Sequence, residues 1–255
     1  RGCAPDTIDQ ITKALTAKTL RLSTTYRCGR AIVAEAQKFV PDFEAGPNNP
    51  EGVVRDIAYK DMGLDVGYGD VVLSRKNAPL ASVAMGLIRA QKRVQVAGKD
   101  IGTGLTALVE KLAGRDASVE AFIGKLLEWQ NREIARAVKA DREDQVEPIR
   151  DKTETLFVLT EGVVGIPELK ARIDGLFTDD GLGAKGVITC SSIHKFKGLE
   201  SPRVFVLKDT LKPFVKRGHT GPVEPTQEER NLEYVAISRA INELVYVHGL
   251  PGDGR

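Results

Sequence analysis

The sequence predicts an α/β domain, a parallel sheet flanked by helices and interrupted by one all-helical stretch. Three observations carry this. Helix-period and strand-period segments alternate over residues 1–102, the alternation disappears over 103–180 in favour of helical spacing, and it resumes over 181–255. With 255 residues, 42% of them hydrophobic, the chain can bury a substantial core.

Residues 6–15 have helical apolar spacing, a short strand is expected at 19–22, and a helix over 30–39. Pro41, Gly46, Pro47 and Pro50 then break the chain. Strand-like runs follow at 53–59 and 70–74, then a helix over 78–91 and a strand at 94–96. In the helical stretch Val119, Phe122, Ile123, Leu126, Leu127, Ile134 and Val138 make one stripe, and Ile166, Leu169, Ile173, Leu176 and Phe177 another. The mixed charges between them, including Arg132, Glu133, Arg136, Lys139, Arg142 and Glu143, read as a solvated face before a DNA-binding strip, and Trp129 reads as core before a base-stacking residue. Strands are expected again at 186–190 and 203–207, followed by a loop rich in Lys, Gly and Pro to about Pro225. Thr226 and Glu229 have the spacing of a capping box at the start of a helix over 227–240, because hydroxyl and carboxylate can each satisfy a free N–H there. A last strand at 243–247 precedes a tail from Gly249 that should fray. The expected organisation is one domain made of 1–102 and 181–255, with 103–180 inserted as a helical accessory region.

Composition excludes several classes. Thirty-seven basic residues against 35 acidic ones leave a formal charge of +2, so overall charge does not point to nucleic acid. No apolar run is long enough for a membrane-spanning helix, and Arg1 to Pro5 lacks a signal-peptide pattern. Cys3, Cys28 and Cys190 are too few and too far apart for a disulfide framework or a zinc site, which suits a reducing cytoplasm. His194, His219 and His248 lack metal-ligand spacing. A Gly-Lys-Ser/Thr phosphate loop is also missing: Gly98-Lys99 runs into Asp100 and Gly124-Lys125 into Leu126.

Four segments carry the specific signal. Thr24-Thr25-Tyr26-Arg27-Cys28, Val72-Leu73-Ser74-Arg75-Lys76-Asn77, the nine residues from Ser192 to Glu200 (SIHKFKGLE) and the thirteen from Glu228 to Ala240 (EERNLEYVAISRA) follow one another in the chain. In order and spacing they resemble the later motifs of the UvrD, Rep and PcrA family of superfamily 1 DNA helicases: motif IV, the segment after it, motif V and motif VI. Arg1-Gly2-Cys3-Ala4 is similar to the end of motif III, so a fragment beginning where the first motor domain ends is expected. The departures are Ser192 and Ser238 for the family's Thr and Asn231 for a common Arg.

The resemblance implies a RecA-like, P-loop NTPase-like fold, with this chain as the second motor domain lacking its own phosphate loop. It implies ATP with magnesium as cofactor, the metal ligands lying in an N-terminal RecA-like domain of the same polypeptide, and single-stranded or partly duplex DNA as partner. Arg27 and Arg239 would reach the γ-phosphate, which suits an always-charged planar fork of donors; an ordinary ion pair is the alternative. Tyr26 would stack on the adenine or simply pack, Glu200 would accept from the ribose hydroxyl, and Gly198 belongs to the same nucleotide-binding turn. Arg75, Asn77, Ser192, His194 and Lys197 would face DNA; a general-base role for His194 is a weaker possibility. Movement from 3′ to 5′ is a family expectation only. Two alternatives stand beside a helicase motor: a non-catalytic nucleic-acid-binding or scaffold module of the same fold, and the helicase-like part of a RecB/AddA-type recombination nuclease.

Overall fold

The computed structural model describes residues 7–18, 22–114, 118–180, 186–212 and 224–250. Arg1 to Ala4, most of the strand expected at 19–22, His219 and the end of the tail lie outside them. The described chain forms a seven-stranded, all-parallel sheet flanked by helices, an α/β architecture consistent with a RecA-like helicase domain.

Helix α1 (Thr7–Leu15) leads to a two-stranded parallel ribbon of β1 (Thr24–Thr25) and β2 (Glu44–Ala45), with α2 (Arg30–Ala36) between them. The main sheet then starts with β3 (Val53–Ala58), α3 (Tyr59–Asp65), β4 (Val71–Ser74), α4 (Asn77–Arg89) and β5 (Val94–Ala97). Four helices follow, α5 (Lys99–Ala113), α6 (Val119–Lys139), α7 (Val146–Thr160) and α8 (Ile166–Leu176), ending in the short strand β6 (Phe177–Thr178). The chain closes with β7 (Ile188–Ser192), β8 (Ser201–Leu207), α9 (Gln227–Ile237) and β9 (Ala240–His248). Across the sheet the order is β3-β9-β8-β4-β7-β5-β6.

The sheet holds together because alternate residues of each central strand enter different cores. Val72, Phe205, Leu207, Val245 and Val247 join one cluster, while Val71, Leu73, Val204, Val206, Leu244 and Tyr246 join another on the opposite face. Helices α2 and α9 cover the second cluster. The first contains Leu80 and Val83 of α4 together with Leu105, Phe122, Leu126, Leu156, Leu169 and Ile173 of α5–α8. The helical stretch therefore shares the sheet's core.

Several boundaries differ from those the sequence suggested. The helix expected over 30–39 stops at Ala36, and the strand expected over 53–59 stops at Ala58, with Tyr59 opening α3. The helix expected to reach Ala240 ends at Ile237, and β9 begins at Ala240, earlier than expected, because this residue pairs with Ser201. Leu22 is 99% exposed, and the first strand starts at Thr24. Strand β6 is too short to leave a period in the sequence; it forms because Val96 and Ala97 of β5 offer it an edge. The capping box is present, with Thr226 Oγ1 accepting from Glu229 N at 3.2 Å and Glu229 Oε2 from Thr226 N at 2.8 Å.

The connection between β7 and β8 is short for what it joins. Both strands are parallel to β4 and flank it, with Leu73 level with Ser191 on one side and Val206 on the other. The eight residues between Ser192 and Ser201 must therefore return from one end of the sheet to the other. They do so through successive turns, with Phe196 N donating to Ser192 O at 3.0 Å and Leu199 N to Phe196 O at 3.1 Å. Ile193 and Phe196, 0% and 1% exposed, pin the segment to the second core as it crosses.

At the end where the strands begin, an ion network ties four elements together. Arg203 Nε donates to both carboxylate oxygens of Asp70 at 3.0 Å, its Nη2 to Asp70 at 2.5 Å, and Arg55 bridges Glu243 at 2.6 Å and Asp65 at 2.7 Å. The Asp70 hydrogen bonds hold the Arg203 guanidinium above its ordinary pKa against the opposing effect of burial. Replacing Arg203 with Ala leaves Asp70, whose side chain is only 10% exposed, without its cation. A stability loss of about 3 kcal/mol is expected in urea unfolding, whereas a loss under about 1 kcal/mol would make the network an ordinary surface pairing.

Candidate functional site

Motif IV covers β1 and the turn into α2, and two remote segments hold its backbone. The Nδ2 of Asn49 donates to the carbonyls of Thr25 and Cys28 at 2.9 and 2.8 Å, and Gly29 N donates to Ile241 O at 2.8 Å. Gly29 also meets Gly52 so closely that a Cβ would sit 2.6 Å from the Gly52 Cα, so the approach requires glycine. Asn49 is 6% exposed and sits in the Pro-Gly break. Nothing in its local sequence separates this long-range clamp from an ordinary turn asparagine, which is why the sequence did not reveal it.

This packing brings motifs IV, V and VI to one cleft of about 690 Å³, lined by Tyr26, Arg27, Cys28, Glu200, Tyr234 and Arg239 among others. Arg27 Nε pairs with Glu200 Oε2, both side chains being 43% exposed. Arg239 is partly buried: Nη1 donates to Leu199 O at 3.1 Å, Nε to Val235 O at 3.1 Å and Nη2 to Ser238 Oγ at 3.0 Å. Burial first, and the like charge of Arg27 second, lower its pKa, although a guanidinium stays protonated at neutral pH. Gly198 takes φ +94°, a conformation that side chains resist, and this turn delivers Glu200 to the cleft. Tyr26 is 78% exposed, with its ring lying on Gly46, where an added Cβ would come within 2.5 Å of it. Behind it Phe43 and Tyr234 meet edge to face at 5.6 Å.

Cys28 is 1% exposed, and its thiol donates to Ser238 O at 3.7 Å. Burial raises its pKa, opposed by Arg27 and Arg239. Cys190, deep in the sheet, is pushed up to about 12 by burial. Both are free.

The residues expected to face DNA lie at the other end of the sheet, past the ends of β4 and β7. Arg75 and His194 line a smaller pocket of about 260 Å³ together with Glu143, Glu147, Glu228 and Glu229. There Arg75 Nη1 donates to Glu229 Oε1 at 2.9 Å, its Nη2 lies 3.4 Å from Glu147 Oε2, and Lys76 Nζ lies 3.1 Å from Glu147 Oε1. Asn77 opens α4, and Asp151 of α7 caps it, accepting from Asn77 N, Asn77 Nδ2 and Ala78 N, each at 2.9 Å. Asp151 is a second residue without a sequence signal, because it caps a helix 74 positions away. Ser192 Oγ accepts from Lys195 N at 3.3 Å, and Lys197 is exposed. The structure thus brings Tyr26, Arg27, Gly198, Glu200 and Arg239 to one end of the motif V segment, and Arg75, Asn77, Ser192 and His194 to the other.

Among the described residues, no group of three or more His, Cys, Asp or Glu side chains could hold a metal ion, and no helix is long and apolar enough to cross a membrane.

Comparison with known proteins points the same way as the motifs. Residues 175–248 match the UvrD-like helicase C-terminal domain, a stretch that contains motifs V and VI. ATP-dependent DNA helicase PcrA of Staphylococcus aureus, in strains Mu50 and NCTC 8325 among others, is 36% identical over 81 residues. That match covers 31% of this chain and 10% of the helicase, so it reaches only a small part of those relatives' length.

The Asn49 clamp yields a prediction. Asn49→Ala leaves two carbonyls of the motif IV turn without their donor and should cost about 1–3 kcal/mol of stability, read from thermal or urea unfolding. An unchanged midpoint would mean that water satisfies both carbonyls equally well.

Proposed function

We propose that this chain, which carries a UvrD/PcrA-like helicase C-terminal domain over residues 175–248, is the second motor domain of an ATP-dependent DNA helicase or translocase. The observation that carries the reading is the convergence of Tyr26, Arg27, Glu200 and Arg239, from three motifs, on one cleft. An exposed aromatic face, two guanidiniums and a carboxylate are the set that base, polyphosphate and ribose require. Bound ATP with magnesium would supply the phosphoanhydride whose cleavage drives the motor; the phosphate loop and metal ligands would come from an N-terminal RecA-like domain of the same polypeptide.

In this reading Tyr26 offers its open face to the adenine while Gly46 supports the ring. Arg27 exchanges its contact with Glu200 for the γ-phosphate, and freed Glu200 accepts from the ribose hydroxyl. Arg239, held by carbonyls of motifs V and VI, presents charge to the same phosphate. Gly198 gives the turn its shape. The motif V segment then links this cleft to Ser192, His194 and Lys197, which with Arg75 and Asn77 form the track for single-stranded DNA. For Arg75 to meet a phosphate it must leave Glu147 and Glu229, so the DNA grip depends on how those carboxylates are placed. Movement from 3′ to 5′ and a cytoplasmic location complete the proposal; two buried free thiols fit a reducing compartment.

Two variants test it in the full-length protein. Arg239→Ala should lower DNA-stimulated ATP turnover by about 10³ to 10⁵, equivalent to about 4–7 kcal/mol, while Arg239→Lys rescues poorly for want of a planar fork. Near-normal turnover with saturating single strands and magnesium would remove the arginine-finger assignment. Arg75→Ala should weaken binding to single strands and make its salt dependence shallower by about one charge. An unaltered salt slope with unaltered affinity would assign Arg75 solely to joining α4, α7 and α9.

A further inference from the structure

The hairpin of α6 and α7 has a cleft of its own, which shares no lining residue with either site above. It measures about 500 Å³ and is lined by Trp129, Glu133 and Arg136 of α6, Arg142 of the turn, and Ile149 and Lys152 of α7, among others. Trp129 packs against the main core yet remains partly exposed toward this opening, whereas Phe122 and Leu126 on the same helix are 0% exposed. Its core role explains only part of the indole's placement.

The charges around it are unevenly matched. Arg136 pairs with Glu133 at 2.8 Å. Arg142 and Lys152 are exposed and have no ion-pair partner among the described residues, so the named lining holds three cations against one carboxylate. Arg142 and Lys152 lie 13 and 23 positions beyond Trp129, and only the return of α7 along α6 brings all three to one opening. A flat aromatic surface flanked by unpaired cations has the chemistry of a stacked base with its adjoining phosphates.

We propose that the α6–α7 cleft is a single-stranded nucleic-acid contact in which one unpaired base stacks on Trp129 and neighbouring phosphates meet Arg142 and Lys152. Single strands are favoured over duplex because a paired base has no free face to offer the indole. They are favoured over an acidic peptide because carboxylates would use the cations and leave the ring unused. The site shares no lining residue with the cleft at Arg27 and Arg239 or with the pocket at Arg75, although its Arg142, Gln145 and Pro148 are chain neighbours of Glu143, Asp144 and Glu147 in that pocket. The Arg142 and Lys152 variants leave every lining residue of those two sites in place, so their outcome is read apart from the motor reading.

Trp129 is the only tryptophan in the chain, so its fluorescence reports on this cleft directly. Titrating the 255-residue chain with oligothymidine of about 10 nucleotides at low salt should quench that emission to saturation. Arg142→Ala with Lys152→Ala should weaken the binding about tenfold and lower the salt slope by about 1.4, the share of two phosphates on a single strand. Both changes are at exposed positions, and an unchanged thermal midpoint will show that the fold is intact. Trp129→Phe should keep much of the affinity for a labelled oligonucleotide, and Trp129→Ala should lose about tenfold. The proposal is overturned by unquenched emission at saturating oligonucleotide, or by an unaltered slope in the double variant. Equal quenching by blunt duplex would rule out base stacking, and equal quenching by polyglutamate would reassign the cleft to an acidic protein partner.

Discussion

The chain's path from β7 to β8 constrains the rest of the molecule. Two parallel strands on either side of β4 are joined by only eight residues, which pass back along the sheet through successive turns. The connection places Ser192, Ile193 and His194 at one end of the sheet and Gly198, Leu199 and Glu200 toward the other, with Ile193 and Phe196 buried. A segment anchored in this way has little freedom to move one end alone. The same nine-residue segment thus lines the cleft of Arg27 and Arg239 with Glu200 and the pocket of Arg75 with His194.

The cleft at the near end owes its shape to backbone contacts more than to its charged side chains. Arg239 donates to the carbonyls of Leu199 and Val235, which joins motif VI to motif V. Asn49, Gly29 and Gly52 do the same for motif IV by fixing the turn that carries Tyr26 and Arg27. With the backbone held, the Arg27–Glu200 pair remains the adaptable element. It is half-exposed and solvent-screened, so exchanging partners there costs little compared with breaking a buried pair.

At the far end the helical stretch takes part in the site. Asp151 of α7 completes the start of α4, and Glu147 engages Arg75 and Lys76. Because α5–α8 also contribute Phe122, Leu156 and Ile173 to the core beneath the sheet, these carboxylates are held in place by packing. The helices thus influence the electrostatics of residues that lie far from them in sequence.

The sequence by itself determined the α/β class, the helical interruption, the capping box of α9 and the four motifs, because each rests on local periodicity or on fixed spacing along the chain. Strand β6, the early start of β9 and the Asn49 clamp were not legible there. A two-residue strand has no period, and a donor that acts more than twenty positions away leaves no local mark. The partners of the motif side chains were likewise decided only by the tertiary structure. Arg27 meets Glu200 across 173 positions of chain, and Arg75 meets Glu229 across 154, because a parallel sheet brings strand ends together in an order unrelated to their order in sequence.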